Sequence, residues 1–238
     1  MVICDEGKIL TSKAISNGMN LFMLASYPAI YRDQLGEVTT TIQNDGRLLR
    51  MVIRGVEFAD RSFDGFEPTV ELDDSQLALF TLNQGCLCSC IIECEMPLLV
   101  AFGDEVVEGI LLVHLELGDP SKNGGIDREE LYLTLKIGDS SFKSSGKSGG
   151  WFSDELRDIQ ALLPEGAYIK TCINCALADY HPVGYGLFGG LACFRNNKEA
   201  FRAAKTKREL FRIWNTSIEV QETYLCPEFV RWIPRKPG

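Results

Sequence analysis

The sequence predicts an α+β protein: an antiparallel β-sandwich-like body, then a small helical segment stapled by a four-cysteine metal site. Three observations predict it. Apolar residues alternate with period two between about residues 37 and 137. A Gly/Ser-rich stretch over 138–150 then interrupts the chain, and beyond it the apolar spacing becomes helical. Cysteines 172, 175, 193 and 226 all fall in this last third.

The β elements follow in order. Glu37-Val38-Thr39-Thr40-Thr41-Ile42 runs into Asn44-Asp45-Gly46, and Leu49, Met51 and Ile53 then alternate with Arg50, Val52 and Arg54. Asp-Gly between two such runs signals a hairpin. Further strands are expected over 86–101, 106–117 and 131–137. Leu111, Val113, Leu115 and Leu117 share one face of the second, and Leu131, Leu133, Leu135 and Ile137 one face of the third. One buried and one wet face per strand is the mark of an antiparallel meander. Residues 138–150, Gly-Asp-Ser-Ser-Phe-Lys-Ser-Ser-Gly-Lys-Ser-Gly-Gly, read as a polar linker. The expected organisation is an N-terminal extension over 1–26, the β domain over 27–150, and a Cys-rich helical module over 151–238 packed on it.

In that module Phe152, Leu156, Ile159 and Leu163 stand at helical spacing, with Ser153 able to cap and Pro164 ending the run. A second helix is expected near 197–205. A third begins at Thr206, where Thr206-Lys207-Arg208-Glu209 is a capping box, and Leu210, Phe211, Trp214 and Ile218 supply an apolar face.

The 238 residues are 45% hydrophobic and 24% charged, an ordinary soluble composition. The net charge of −9 is uneven: residues 1–150 carry 12 basic and 23 acidic groups, residues 151–238 carry 12 and 10. The acidic front part excludes a whole-chain affinity for nucleic acid or anionic lipid. No apolar run approaches the roughly 20 residues that a bilayer requires. The short run Leu21–Ala25 lacks a charged lead-in and cleavage site, so no signal peptide is read. Nine irregularly spaced cysteines suit a reducing compartment, and the expected location is the cytoplasm.

Cys172 and Cys175 form a C-x-x-C pair, the spacing by which one tight turn aims two sulfurs at one ion. Cys193 and Cys226 flank helical stretches and can return to the same point. Four thiolates satisfy Zn²⁺ with no open position, so the expected cofactor is structural zinc; an iron–sulfur cluster takes the same donors. The bland alternative is two buried thiols beside an incidental C-x-x-C. His181 is a rival ligand. Cys86, Cys88, Cys90 and Cys94 share one strand face and read as small core residues, since parallel sulfurs do not surround an ion.

Three motifs are decoys. Gly184-Tyr185-Gly186-Leu187-Phe188-Gly189 matches G-x-G-x-x-G but lacks the strand before and helix after that a dinucleotide site requires. Gly146-Lys147-Ser148 fails as a P-loop because Ser141 stands where the upstream Gly belongs. Asp119–Glu130 fits a calcium loop residue by residue, but strands rather than helices flank it, and whether it binds calcium stays open. Arg195, Lys198, Arg202, Lys205, Lys207, Arg208 and Arg212 form a basic cluster that could hold a phosphate backbone or simply be solvated surface. There is no G-x-S-x-G or H-E-x-x-H, only two histidines, and no catalytic residue is assigned.

Asn44-Asp45-Gly46, Ile53-Arg54-Gly55-Val56, Lys147–Phe152, Leu187-Phe188-Gly189, Cys193-Phe194-Arg195 and Gln221-Glu222-Thr223-Tyr224-Leu225-Cys226-Pro227-Glu228-Phe229 resemble an uncharacterised bacterial family, a domain of unknown function, over roughly residues 27–230. The resemblance implies a bacterial source and a shared C-terminal module with the four cysteines; the family usually has Ser where this chain has His181, and the resemblance adds no catalytic residue. The expected function is a zinc-stabilised binding or interaction protein with a protein partner. The alternatives are an iron–sulfur or thiol-redox enzyme using the same cysteines, and a nucleic-acid binder through residues 195–212.

Overall fold

The computed structural model describes residues 25–122, 124–146, 150–181 and 183–233. The N-terminal extension up to residue 24, the Leu21–Ala25 run except its last residue, and Lys147 to Ser148 of the P-loop-like string lie outside them.

The chain begins as a meander: β1 (Ala25–Asp33), β2 (Gly36–Asn44), β3 (Leu49–Ile53), β4 (Val56–Asp60) and β5 (Glu67–Pro68). A short helix α1 (Asp74–Leu77) and a small hairpin of β6 (Leu82–Asn83) and β7 (Cys86–Leu87) follow. Two long strands, β8 (Cys90–Phe102) and β9 (Glu105–Leu117), then β10 (Glu129–Ile137) and β11 (Ser140–Lys143), complete the meander. After α2 (Phe152–Leu162) come β12 (Ala167–Ile169), β13 (Ala178–Tyr180), β14 (Leu191–Cys193), α3 (Lys198–Ala203), α4 (Lys207–Arg212) and β15 (Ile218–Val220).

The α+β class and the antiparallel pairing hold. The sandwich does not appear as two sheets: β11, β10, β9, β8, β1, β2, β3, β4 and β5 are neighbours in one sheet, with β12 pairing β8 beside them. β8 makes this possible. β9 pairs along all its length, while its other edge takes β1 at Ile91–Cys94 and β12 at Val100–Phe102. One face of this sheet forms the main core. Tyr31, Ile42, Met51, Phe58, Leu98, Leu115 and Leu133 all lie in a single cluster. Phe63, after β4, packs against Phe152 of α2 (ring centroids 6.1 Å apart) and Phe188 (5.0 Å), and Phe152 meets Phe188 at 4.7 Å. Because α2 packs on β10, these rings tie the two ends of the sheet together across one interior.

Local chemistry explains the turns. Asn44 ends β2 and its Oδ1 accepts the Gly46 N–H, while Asp45 Oδ1 accepts those of Arg47 and Leu48. Arg54 and Gly55 take φ of 49° and 82° between β3 and β4, the positive values that a two-residue hairpin demands. Arg54 tolerates this because its guanidinium grips Asp33 at 2.6 and 2.7 Å and donates to the Leu79 carbonyl.

Two expectations are corrected. Residues 140–143 are strand β11, pairing with β10, rather than part of a linker. Nearby Ser144 is buried and donates its N–H to the Leu133 carbonyl. The composition hid this because Phe142 is the only large apolar side chain there. The segment after 150 is also not chiefly helical: α2 and β12 join the main core through Phe152, Leu156, Ile159, Ala167 and Ile169, and the remainder is a three-stranded sheet, β13-β14-β15, with two short helices. The Thr206 capping box forms as expected, with Thr206 Oγ1 accepting from Glu209 N, but α4 stops at Arg212 and leaves Phe211 exposed.

Candidate functional site

The four C-terminal cysteines are all buried and all free thiols. They reach one neighbourhood from three chain segments. Cys172 opens a 3-10 turn that ends at Cys175, whose N–H donates to the Cys172 carbonyl at 3.1 Å. Cys193 ends β14, paired to Ala178 and Ile218. Cys226 lies in the segment that wraps the turn from both sides: Cys172 N donates to Tyr224 O (2.6 Å), Ile173 N to Glu222 O (3.1 Å), Ala176 N to Val230 O (2.7 Å) and Trp232 N to Asn174 O (2.8 Å). Asn174 is pinned in turn, donating through Nδ2 to Gln160 Oε1 and Ile169 O. The turn is thus fixed by backbone bonds on both flanks.

The electrostatics follow from this crowding. The neighbouring Cys226 sulfur, then burial and the fields of Cys175 and Cys193, push the Cys172 thiol up. The neighbouring Cys172 sulfur pulls Cys226 the other way, down, against burial and with support from the backbone at Glu228 and the Arg195 guanidinium. Cys193 is pushed up by burial, opposed by the Arg195 N–H. The backbone at Arg195 and Glu228, two residues downstream of Cys193 and Cys226, favours the thiolate form of each sulfur.

As their side chains stand, no group of three or more His, Cys, Asp or Glu among the described residues is gathered tightly enough to hold a metal ion. The four sulfurs lie near enough to one another for Cys226, Cys175 and Cys193 each to raise the Cys172 thiol. Each thiolate formed in such a cluster raises the thiols beside it, so losing more than one proton here calls for a cation. The donor chemistry suits a thiophilic cation: four buried thiols from three segments.

The other candidates fall elsewhere. His181 packs edge-on to Trp214 (4.6 Å) and Phe211 (5.8 Å), and its Nδ1 accepts the Val183 N–H. Cys90 and Cys94 face the core as expected. Cys86 and Cys88 do not share their strand, because Ser89 turns the chain at φ 50°; Cys86 donates to Glu67 and Cys88 to Thr81 O. The Asp119–Glu130 loop joins β9 to β10. Its oxygens serve the loop, with Asp127 Oδ1 accepting from Asp119 N and Asp119 Oδ1 from Ser89 Oγ. Of the basic cluster, Arg195 stacks over Tyr224 and turns to Cys226, and Lys198 pairs with Glu228.

Residues that the sequence did not single out join the module to the sheet. Asn44 and Gln221, both buried, exchange amide bonds: Asn44 Nδ2 donates to Gln221 Oε1 (2.7 Å) and Gln221 Nε2 to Asn44 Oδ1 (3.0 Å), while Asn44 also donates to Tyr27 Oη. Glu222, fully buried, accepts Tyr180 Oη at 3.0 Å and Gly189 N at 2.8 Å; burial pushes its carboxyl up to about 7. Gly189 has φ 77°, and a Cβ there would press on the Arg61 carbonyl at 3.0 Å. The glycine run therefore builds a cradle for Glu222. The signal available was the family-like strings themselves, which meet here: Asn44-Asp45-Gly46, Leu187-Phe188-Gly189, Cys193-Phe194-Arg195 and Gln221–Phe229.

The profile of a family of unknown function, DUF6304, matches residues 25–178. The chain belongs to this family. The DUF6304 match covers the whole meander, α2, β12 and the C-x-x-C turn, and ends at the first residue of β13. No curated protein and no solved structure matches the chain. Among the described residues no helix is long and apolar enough to cross a membrane.

Proposed function

We propose that this DUF6304 member is a binding or interaction protein, working in the cytoplasm with a protein partner, whose C-terminal segment is locked by structural zinc at Cys172, Cys175, Cys193 and Cys226. The observation that supports the reading is the clustering of four buried cysteines from three separate segments, with the backbone at Arg195 and Glu228 favouring thiolate at two of them. A cation would take the place of the thiol protons and hold the sulfurs as thiolates. The secondary elements of this segment are three residues long in its strands and six in its helices, too short to hold themselves in place by packing alone. The test is elemental analysis of protein purified without chelator. About one zinc per chain supports the reading; less than half an equivalent of any transition metal overturns it. Iron with absorption near roughly 400 nm would assign the same cysteines to a cluster.

A thiol-redox role has one observation in its favour, the Cys172–Cys226 contact with its lowered thiol. Oxidation there would pass two electrons and two protons to an acceptor disulfide, giving two thiols. Burial of both sulfurs keeps such an acceptor away, which favours the structural role. For nucleic acid, Arg195 and Lys198 are committed within the module, so the 195–212 cluster offers fewer cations than its sequence suggests.

A further inference from the structure

The outward face of the main sheet carries a groove of about 670 Å³, unrelated to the cysteines. Strand register builds it. One row crosses five strands as Thr39, Ile30, Glu93, His114 and Tyr132. The next row reads Glu95, Leu112, Thr134 and Lys143 from β8 to β11. That volume lies within the range of small-ligand sites, and Pro28, Ile30 and Leu112 give it an apolar floor.

Its charges are sorted by strand. Glu93 and Glu95 stand on β8. Glu93 is engaged: its carboxylate meets His114 Nδ1 at 2.8 Å and Arg32 at 3.6 Å. With Nδ1 held by Glu93, Nε2 is the ring nitrogen left to a ligand. Glu95 has no ion pair or hydrogen bond among the described residues. On β11, Lys143 has no carboxylate partner there either; its Nζ lies 5.5 Å from the centroid of the Tyr132 ring. Three strand spacings, about 14 Å, separate the β8 and β11 backbones, so Glu95 and Lys143 do not pair with each other. An open anion and an open cation thus stand at the two ends of one row, with Leu112 and Thr134 between them and the His114 ring in the row beside.

We propose that this groove binds a short zwitterionic peptide, its ammonium at Glu95, its carboxylate at Lys143, and its backbone hydrogen-bonded to His114 Nε2. Three extended residues span about 10 Å, which with contact distances at both ends matches the separation of the two charges. Neither a lone amine nor a lone carboxylate satisfies both ends. A zwitterion also adds no net charge to an acidic protein.

The test titrates Ala-Leu-Ala into the isotopically labelled full chain, followed by amide shifts and calorimetry, beside its N-acetylated and C-amidated forms. The expected result is saturable binding with shifts on β8–β11, weakened at least tenfold by either cap and by Glu95→Gln or Lys143→Met. Both substitutions are on exposed side chains and leave the fold intact. No binding at 5–10 mM on the order of the weakest useful affinity, capped peptides binding within twofold of the free one, or shifts outside the groove would each overturn the proposal.

Discussion

Glu222 is the residue whose burial has the clearest consequence. A carboxyl held at about 7 in the folded chain against an ordinary value of 4.5 binds its proton more tightly when folded. Its favourable contribution is full below the ordinary value and is lost as pH rises through 7. Wild type and Glu222→Gln should therefore have similar stability at pH 5, and the variant should gain on wild type by on the order of 3 kcal/mol by pH 8, read from urea midpoints at each pH. A flat difference across that range would show that the carboxylate is solvated in place. At Asn44 and Gln221 the reciprocal amide bonds predict coupling. Either alanine substitution alone strands a buried amide and costs about 2 kcal/mol, while the double variant costs less than the sum. A double-mutant cycle reads the difference directly. Neither residue could be chosen from the sequence, because a paired amide and a surface amide have the same composition around them. Only the distance of 177 positions closed by the fold separates the two cases.

At the scale of elements, the strands were legible wherever one face is buried. Leu111, Val113, Leu115 and Leu117, and Leu131, Leu133 and Leu135, each lie in the core in the predicted register. The Thr206 capping box was legible for the same kind of reason: its chemistry is complete within four residues. The edge strand β11 was not, because an edge strand packs through few apolar side chains, and the Ser- and Lys-rich sequence resembles a linker. The three-residue strands β13, β14 and β15 are shorter than any period can reveal. Among the candidate site residues, the C-x-x-C turn and the convergence of Cys193 and Cys226 on it were legible from spacing. The Cys172–Cys226 contact was not, since sequence fixes no side-chain rotamer. Helix α2 has the largest single anchor: Phe152, fully buried between Phe63 and Phe188. Phe152→Ala should cost about 3–5 kcal/mol, seen as a lower denaturant midpoint with little change in slope. A loss below about 1 kcal/mol would mean that the ring trio is not what joins the two ends of the sheet.

For the whole molecule, the main sheet and the segment after β12 should differ in what holds them. The sheet has a continuous apolar interior; the later segment has two clusters of four and three buried residues. Cys172→Ala should therefore loosen residues 170–233 before it affects the sheet. The readout is limited proteolysis, with new cuts near α3 and α4 and a protected fragment spanning the meander. Chelation of the wild type should give the same pattern, and an unchanged digest in both would remove the staple. The same asymmetry bears on the matched family boundary. Residue 178 is the first residue of β13, so a polypeptide ended there keeps Cys172 and Cys175 while giving up Cys193 and Cys226. It also leaves the Asn44 amide without Gln221 and uncovers the Ile173 and Cys172 N–H groups that residues 222 and 224 now occupy. Such a truncation would be sticky and hard to keep in solution, and anyone trimming the gene for expression should keep the tail through at least residue 233.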